Sequence, residues 1–209
     1  MPSEAILAFD TSGSWCAVAL RVADRVRAHR FEPMARGQGE RLFPAIEETM
    51  AEAAIGWADL AAIGWADLAA IGVGTGPGNF TGIRIGVAAA RGLAMGLRIP
   101  AIGIDRFAAL GLDGPDLPVL LPAARGMAWL ARPGVSPLLV DPTSLREPVI
   151  ADPADFPELA ATPPAYPLAL AIARLTEARR HSAQPRPAPL YLRPADAAPP
   201  SEGAPALLD

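Results

Sequence analysis

A glycine-rich loop in the first half of the chain is the stretch whose composition best suits anion binding. Gly74, Gly76 and Gly78 remove every Cβ from a turn in which Pro77 fixes one φ angle. Thr81 stands where a hydroxyl would accept a hydrogen bond from the first free helix amides, and such amides attract phosphate. Gly76, Gly78 and Thr81 are therefore candidates for a nucleotide or anion loop, and a tight strand-to-helix connection is the plainer alternative.

A second candidate for phosphate chemistry is the turn Asp10-Thr11-Ser12, which follows an apolar run over residues 5–9. Aspartate and serine suit a turn for local hydrogen-bonding reasons alone. The functional alternative is that Asp10 marks the phosphate-side carboxylate of an actin-like or RNase H-like nucleotide fold. In that case Asp10, Thr11 and Ser12 would form, together with the glycine-rich loop, the remnant of a nucleotide site.

Residues that support most enzyme mechanisms are missing from the chain. All 18 basic residues are arginines, so the loop lacks the lysine of a Walker A motif and no lysine nucleophile exists. His29 and His181 form no His-x-x-x-His or His-Glu-x-x-His pair, and the single cysteine, Cys16, sits in a strand pattern. We therefore assign no catalytic residue, no metal ligand and no cofactor. A Ser-His-Asp site that uses His29 stays open as an alternative without further support.

The composition describes a chain that can bury a core and does not attract nucleic acid electrostatically. Of the 209 residues, 51% are hydrophobic and 19% are charged, and the net charge is −4. The length permits one large domain or two small lobes. One cysteine fits a reducing compartment, and no stretch has the length of a membrane span or the pattern of a signal peptide. We therefore expect a cytoplasmic protein that contacts no membrane.

Hydrophobic periodicity and turn signals predict an α/β chain. The predicted strands cover 5–9, 15–22, 26–31, 69–73, 100–104, 118–121, 127–131 and 138–140. The predicted helices cover 39–53, 82–97, 106–110 and 168–180, with Asp105 capping the third. A turn-rich boundary at 113–116 divides the chain into an N-terminal lobe over 1–112 and a smaller lobe over 113–193. The proline- and alanine-rich residues 194–209 are expected to form a mobile tail.

Two predicted helices have the features of helix–helix contact. In helix 39–53, one apolar stripe is formed by Leu42, Phe43, Ile46 and Met50. Helix 82–97 is rich in small residues, and each of its four glycines costs roughly 1 kcal/mol against alanine. Close approach of other helices on more than one side would compensate for that cost. We expect the two helices to pack on each other and to keep apolar surface free.

An eight-residue segment occurs twice in succession before the fourth strand. Residues 53–60 and 61–68 both have the sequence Ala-Ala-Ile-Gly-Trp-Ala-Asp-Leu. Two copies are too few for a solenoid, whose repeats run about 20 residues or more. Eight residues of continuous helix rotate a face by about 80° past two turns, so both copies cannot make the same core contact. We interpret the extra copy as a local tandem duplication and expect one tryptophan near the surface.

The glycine-rich loop and two further segments resemble a known family. Residues 76–86, Gly-Pro-Gly-Asn-Phe-Thr-Gly-Ile-Arg-Ile-Gly, resemble the Gly-Pro-Gly-Ser-Phe-Thr-Gly-Val-Arg-Ile-Gly signature of the TsaB (YeaZ) family, with Asn79 in place of serine. Residues 6–12 resemble the family's opening strand and Asp-Thr-Ser turn, and residues 190–193 resemble its late Tyr-Leu-Arg. Ala123 stands where family members often have the aspartate of an Asp-Ala-Arg segment, which weakens any role for a second-lobe carboxylate.

The resemblance implies an actin-like/RNase H-like (ASKHA-type) fold, with a mixed sheet flanked by helices and a reduced second lobe. It further implies a non-catalytic scaffold or activator that binds the related subunit TsaD in the complex forming N6-threonylcarbamoyladenosine in tRNA. A TsaE-like ATPase would join this complex, tRNA would be contacted only through it, and a homodimer is the alternative when the partner is absent. The residues expected to meet TsaD lie on the two helices: Leu42, Phe43, Ile46, Met50, Arg84, Val87, Ala88, Ala90, Arg91 and Ala94.

Two enzyme alternatives stay open beside the scaffold. A small actin-like ATPase or sugar-kinase-like enzyme needs a second-lobe carboxylate and an adenosine pocket, which the short, proline-rich second lobe supplies poorly. A glycoprotease-like metallopeptidase needs a histidine pair that the sequence lacks.

Overall fold

The computed structural model describes residues 4–55 and 64–192, and its larger sheet has five strands. These strands are β1 (Ala5–Asp10), β2 (Trp15–Val22), β3 (Arg25–Pro33), β4 (Leu68–Gly74) and β5 (Ala101–Ile104). Their order is β3-β2-β1-β4-β5, with β1–β4 and β4–β5 parallel and the other pairs antiparallel. All of β1 is buried, because this central strand has helices on both faces. A mixed sheet flanked by helices is the predicted fold class.

Four helices and a smaller sheet complete the described structure. The helices are α1 (Gln38–Ile55), α2 (Phe80–Leu97), α3 (Arg106–Gly111) and α4 (Leu168–Arg179). The second sheet is antiparallel and consists of β6 (Val119–Pro122), β7 (Ala128–Ala131) and β8 (Leu138–Val140). The predicted helices and strands are present close to their expected bounds. None of the described helices combines the length and the apolarity that crossing a membrane requires.

Side chains alternate between the two faces of the larger sheet and build two apolar layers. Leu7 and Phe9 of β1 belong to the layer that includes α1 and α2. Ile6 and Ala8 of the same strand belong to the layer that includes α3 and α4. Helices α1 and α2 therefore lie on one face of the sheet, and α4 lies on the other.

Helix α4 packs on the larger sheet, although the prediction places it in the second lobe. It contacts β1, β2 and β4, and Ile172 shares an apolar cluster with Ile6 of β1 and Val119 of β6. Gly72 of β4 allows this approach, because a side chain there would clash with the hydroxyl of Thr176. A division at residue 112 cuts this shared core, so the predicted boundary is wrong for α4. Only contacts distant in sequence decide where this helix lies.

The N-cap of α2 is Asn79 rather than the predicted Thr81. Asn79 Oδ1 accepts a hydrogen bond from Gly82 N at 2.9 Å, so the helix begins earlier than expected and Thr81 lies exposed in its first turn. Asp105 caps α3 as predicted, because its Oδ1 accepts from Ala108 N at 2.8 Å. Short polar side chains thus set both helix starts.

The duplicated segment connects α1 with β4. Its first copy begins inside α1, which extends to Ile55, and its second copy ends at Leu68, the first residue of β4. Trp65–Asp67 form one 3-10 turn, in which the Asp67 carboxylate accepts from Gly64 N at 2.9 Å. Trp65 is half-buried. The predictions for Trp57 and for the tail over 194–209 fall outside the described residues.

Candidate functional site

The Asp10 carboxylate is buried and held by its own turn at the carboxyl end of β1. Its Oδ1 accepts hydrogen bonds from Ser12 N and Ser12 Oγ at 2.9 Å and from Trp15 Nε1 at 2.7 Å. Its Oδ2 is buried against Gly74 and accepts no hydrogen bond from the described residues. A ligand that used Oδ1 would have to displace the Trp15 indole.

The glycine-rich loop packs backbone to backbone against the turn after β1. A side chain at Gly78 would clash with the Ser12 carbonyl oxygen, and one at Gly82 would clash with the Thr11 carbonyl oxygen. Asn79 N donates to Ser12 O at 2.6 Å, and Thr11 Oγ1 donates to Gly82 O at 2.7 Å. Close contact with the neighbouring turn therefore requires these glycines.

The residues of the predicted nucleotide or anion loop lie together in the fold. Four of them are buried: Asp10, Thr11, Ser12 and Gly76. The other two, Gly78 and Thr81, are exposed. Gly76 has a φ of +90°, in the left-handed region that favours glycine, and its carbonyl accepts from Arg106 N at 2.8 Å. Contacts within the chain are sufficient to account for the residue types at five of the six positions, Asp10, Thr11, Ser12, Gly76 and Gly78.

A cavity of about 880 Å³ lies between these loops and the second sheet. Trp15, Trp129 and Tyr191 contribute aromatic surface to its walls, and the charged side chains on its lining are Arg84, Arg106 and Asp155. The volume is within the range of ligand pockets. Aromatic side chains from both sheets and charged side chains from helices and a loop therefore line one cavity.

Arg106 is the buried cation of this cavity, with 5% of its surface exposed. Its Nη1 donates to Pro77 O at 3.2 Å, and its guanidinium carbon lies 4.9 Å from the centroid of the Trp15 ring. Its Nε donates to no described residue. Burial lowers the pKa of Arg106, and the charges of Asp10 and Asp155 oppose that shift. Burial raises the pKa of Asp155, and the charge of Arg106 opposes it.

Two of the three charged side chains of the cavity, Arg106 and Asp155, are not among the residues predicted from the sequence, whereas Arg84 is predicted there as a partner contact. The missing aspartate at Ala123 weakens a role for a second-lobe carboxylate, but the chain after β8 brings another carboxylate, Asp155, to the cavity wall. For Arg106 one signal was available. Arginine at the first position of a helix opposes the helix dipole, which suggests that the side chain serves another purpose.

The ten residues predicted to meet a partner divide between core and surface. Six are buried within the chain: Leu42, Ile46, Met50, Val87, Ala90 and Ala94. They pack in the layer between the helices and the sheet, so the prediction that they face a partner is wrong. Four are exposed: Phe43, Arg84, Ala88 and Arg91. Hydrophobic periodicity detects the apolar stripe of a helix, and here that stripe faces the core of the same chain.

The face of α2 that points away from the sheet combines small residues with one large apolar side chain. We call it the outward face of α2; its exposed residues are Arg84, Ala88, Arg91, Gly92, Met95 and Gly96. Met95 is 81% exposed. A side chain built at Gly92 or Gly96 would meet no described atom within 4 Å. Contacts within the described chain therefore do not explain glycine at these two positions.

The last described residues lie against the first turns of α2. Leu190 N donates to Thr75 O at 2.8 Å, which fixes this segment to the residue after β4. Arg84 Nε donates to the Tyr191 hydroxyl oxygen at 2.8 Å. The guanidinium carbon of Arg84 lies 3.7 Å from the centroid of the Phe80 ring, and the Phe80 and Tyr191 centroids are 4.9 Å apart. The late Tyr-Leu motif thus contacts α2 directly.

Comparison with known proteins connects these features to named relatives. A family model described as "TsaD: tRNA N6-adenosine threonylcarbamoyltransferase" matches residues 32–126. Two relatives are named tRNA threonylcarbamoyladenosine biosynthesis protein TsaB: one in Escherichia coli (strain K12), 37% identical over 100 residues, and one in Haemophilus influenzae, 34% identical over 110 residues. An uncharacterised protein of Mycobacterium tuberculosis (strain H37Rv) is 33% identical over 210 residues, which are 93% of this chain and 94% of that protein.

The chain belongs to the TsaB (YeaZ) family.

The match to the two TsaB relatives covers 48% and 53% of this chain but only 39% and 43% of theirs, so the chain spans less than half of their length. A solved structure, YeaZ from Pseudomonas aeruginosa, superposes with a TM-score of 0.67 at 22% identity over 90% of this chain and 100% of that one. This likeness supports the actin-like/RNase H-like fold. The TsaD-related match extends from the end of β3 to the second sheet and includes α1, the glycine-rich loop, α2 and Arg106.

In this TsaB-family chain, burial shifts the pKa values of His29 and Cys16. Burial lowers the pKa of His29, whose Nε2 has no hydrogen-bond partner among the described residues. Burial, helped by the negative charge of Glu32, raises the pKa of the Cys16 thiol to about 11, so the thiol stays protonated at neutral pH. Residues 4–55 and 64–192 contain no group of three His, Cys, Asp or Glu side chains placed to hold a metal ion.

Proposed function

We propose that this chain is a non-catalytic scaffold or activator subunit in the formation of N6-threonylcarbamoyladenosine in tRNA. It binds a TsaD-like subunit through the outward face of α2 and the neighbouring Phe43 of α1. The TsaB relatives and the TsaD-related match support a place in this pathway. A TsaE-like ATPase joins the assembly, and tRNA is contacted through it. A homodimer through the same face forms when the partner is absent.

The proposed binding surface rests on one observation: Gly92 and Gly96 of α2 have open space beside them in the described structure. Glycine inside a helix costs roughly 1 kcal/mol against alanine, and nothing in the described chain occupies the space beside Gly92 or Gly96. A second helix packed on this face would use the missing Cβ atoms to approach closely. Met95 adds a long, adaptable apolar side chain that is 81% exposed in the free chain.

The actin-like ATPase is the second candidate, because the cavity beside Arg106 has a volume of about 880 Å³, enough for a nucleotide-sized ligand. It is less well supported. Oδ1 of Asp10 already accepts three hydrogen bonds, and the chain has no lysine to contact phosphates. The purified chain alone is therefore expected to hydrolyse no ATP. Turnover that is abolished by Asp10→Ala would favour the ATPase instead.

Two substitutions test the binding surface, and each introduces one negative charge on a different side of the larger sheet. Ala88 is exposed on α2, and Ala178 is exposed on α4, which lies on the opposite face of the sheet. Affinity for the TsaD-like subunit of the same organism is measured by titration calorimetry. Ala88→Glu should stay folded and lose at least about a hundredfold in affinity, which corresponds to about 2.7 kcal/mol, because the interface would bury an unpaired charge.

Ala178→Glu is the matched control, and it should bind within about twofold of the unmodified chain. Equal affinity of Ala88→Glu and Ala178→Glu would place the interface elsewhere. No binding by the unmodified chain would refute the proposed function itself.

A further inference from the structure

We propose that Tyr191 is a positioning residue for the partner surface, because it holds the Arg84 side chain on α2 in one orientation. In this orientation the guanidinium of Arg84 binds a carboxylate of the partner. This role of Tyr191 rests on the proposed function, since Arg84 is assigned there to the surface that meets the TsaD-like subunit.

The segment that carries Tyr191 crosses from one layer of the fold to the other. It follows α4 on one face of the larger sheet and ends against α2 on the other face. Pro187 is buried beside β5, where a side chain at Gly103 would come within 3.3 Å of its Cα. Leu190 N is bonded to Thr75 O. We call residues 183–192 the strap.

The strap is suited to hold a fixed position at low entropic cost. It contains three prolines, Pro185, Pro187 and Pro189. Each proline fixes one φ angle, which reduces the conformational entropy that the segment loses when it orders. The buried Pro187 and the hydrogen bond from Leu190 N then place Tyr191 against α2.

The contacts around Arg84 orient a guanidinium that is still exposed. Phe80 stacks under it at 3.7 Å, and the Tyr191 hydroxyl accepts from its Nε at 2.8 Å. Arg84 forms no ion pair within the described part of the chain. An arginine held in this way loses less entropy on binding, and its planar fork matches a carboxylate with two parallel hydrogen bonds.

The other tyrosine of the chain shows what a complete cluster of this kind contains. The guanidinium carbon of Arg174 lies 4.6 Å from the centroid of the Tyr166 ring, and the Tyr166 hydroxyl donates to Asp113 Oδ2 at 2.8 Å. Arg174 Nη2 lies 3.3 Å from the same oxygen, so Asp113 neutralises the arginine inside the chain. Arg84 likewise lies over an aromatic ring and beside a tyrosine hydroxyl, here Phe80 and Tyr191, but no described carboxylate pairs with it. The missing carboxylate is the group that a partner supplies.

A double-mutant cycle tests this role, with affinity for the TsaD-like subunit measured by titration calorimetry. Tyr191→Phe keeps the ring and removes the hydroxyl, and it should weaken binding about fivefold to tenfold. Arg84→Ala should weaken binding by more than about tenfold. In the Arg84→Ala background, Tyr191→Phe should add nothing, because Tyr191 acts through Arg84. Tyr166→Phe is the matched control and should bind within about twofold.

A second measurement on the free chain examines the contact itself. The Arg84 Nε–H resonance should exchange slowly with water in the unmodified chain and rapidly in Tyr191→Phe, with thermal stability nearly unchanged. Equal affinity of Tyr191→Phe and the unmodified chain would overturn the inference and leave the proposed function standing. The inference would also be overturned if Tyr191→Phe lowered the affinity by the same factor in the unmodified chain and in the Arg84→Ala variant. Failure of the unmodified chain to bind would refute the proposed function and, with it, this role of Tyr191.

Discussion

The two halves of α2 contain glycine in opposite surroundings. Gly82 and Gly86 lie against the turn after β1: a side chain at Gly82 would clash with the Thr11 carbonyl oxygen, and one at Gly86 would lie 2.8 Å from Thr11 Oγ1. Gly92 and Gly96 lie on the outward face with nothing described within 4 Å of an added Cβ. The fold of this chain explains the first pair. The described residues do not explain the second pair, which we assign to the proposed partner surface.

The largest expected effect on stability comes from adding one methyl group to the first half of α2. Gly82→Ala forces a Cβ onto a backbone carbonyl, which cannot rotate away, and we expect a loss of more than about 3 kcal/mol in the free energy of unfolding. Urea denaturation monitored by circular dichroism measures this loss. A stability equal to that of the unmodified chain would mean that the loop and the turn after β1 are not in close contact.

The next effect comes from the turn that the loop packs on. Asp10→Ala leaves Trp15 Nε1 and two donors of Ser12 without their acceptor, so we expect a loss of about 2 to 3 kcal/mol in the free energy of unfolding. Asp116→Ala, at an exposed position, is the control and should change stability by less than about 0.5 kcal/mol. An Asp10→Ala variant as stable as this control would show that the carboxylate is not needed for the fold, which would strengthen its assignment to a ligand.

The second half of α2 should respond in the opposite direction. Gly92→Ala meets open space, so the free energy of unfolding should rise by roughly 0.5 to 1 kcal/mol while affinity for the TsaD-like subunit falls about tenfold. Denaturation and titration calorimetry on the same preparation separate the two effects. A variant that gains stability and binds as tightly as before would remove the reason for glycine on the outward face.

The smallest effect concerns the pH dependence of the cavity. Burial raises the pKa of the Asp155 carboxyl in the folded chain above its ordinary value of 3.8. The folded state therefore favours the protonated carboxyl. The stability that this preference contributes is fully present below pH 3.8 and is lost as pH rises through the folded-state pKa. Asp155→Asn should therefore gain stability relative to the unmodified chain between pH 3.5 and pH 7. The gain should stay below about 0.5 kcal/mol, because Asp155 is exposed and solvent screens its charge. A relative loss over the same interval would mean that attraction to Arg106 outweighs burial.

The sequence by itself determined the fold class and almost every helix and strand. Strand alternation, the apolar stripe of α1 and the Asp105 cap are local patterns, and each reflects contacts within a few residues. The same local patterns identified the turn Asp10-Thr11-Ser12 and the glycine-rich loop as features that belong together. The family also follows from local motifs, because residues 76–86 carry most of the resemblance.

Only the tertiary structure decided which faces are buried and which residues of the candidate site meet. An apolar stripe looks the same whether it faces a sheet or a partner, so Leu42 and Ala90 were indistinguishable from Ala88 until the sheet beneath α2 was placed. Arg84 and Tyr191 are 107 residues apart, and no pattern in either segment points to the other. Asp155 and Arg106 line the same cavity, and no local pattern predicts that either. Packing between distant segments sets these contacts, and hydrophobic periodicity records only that a face is buried.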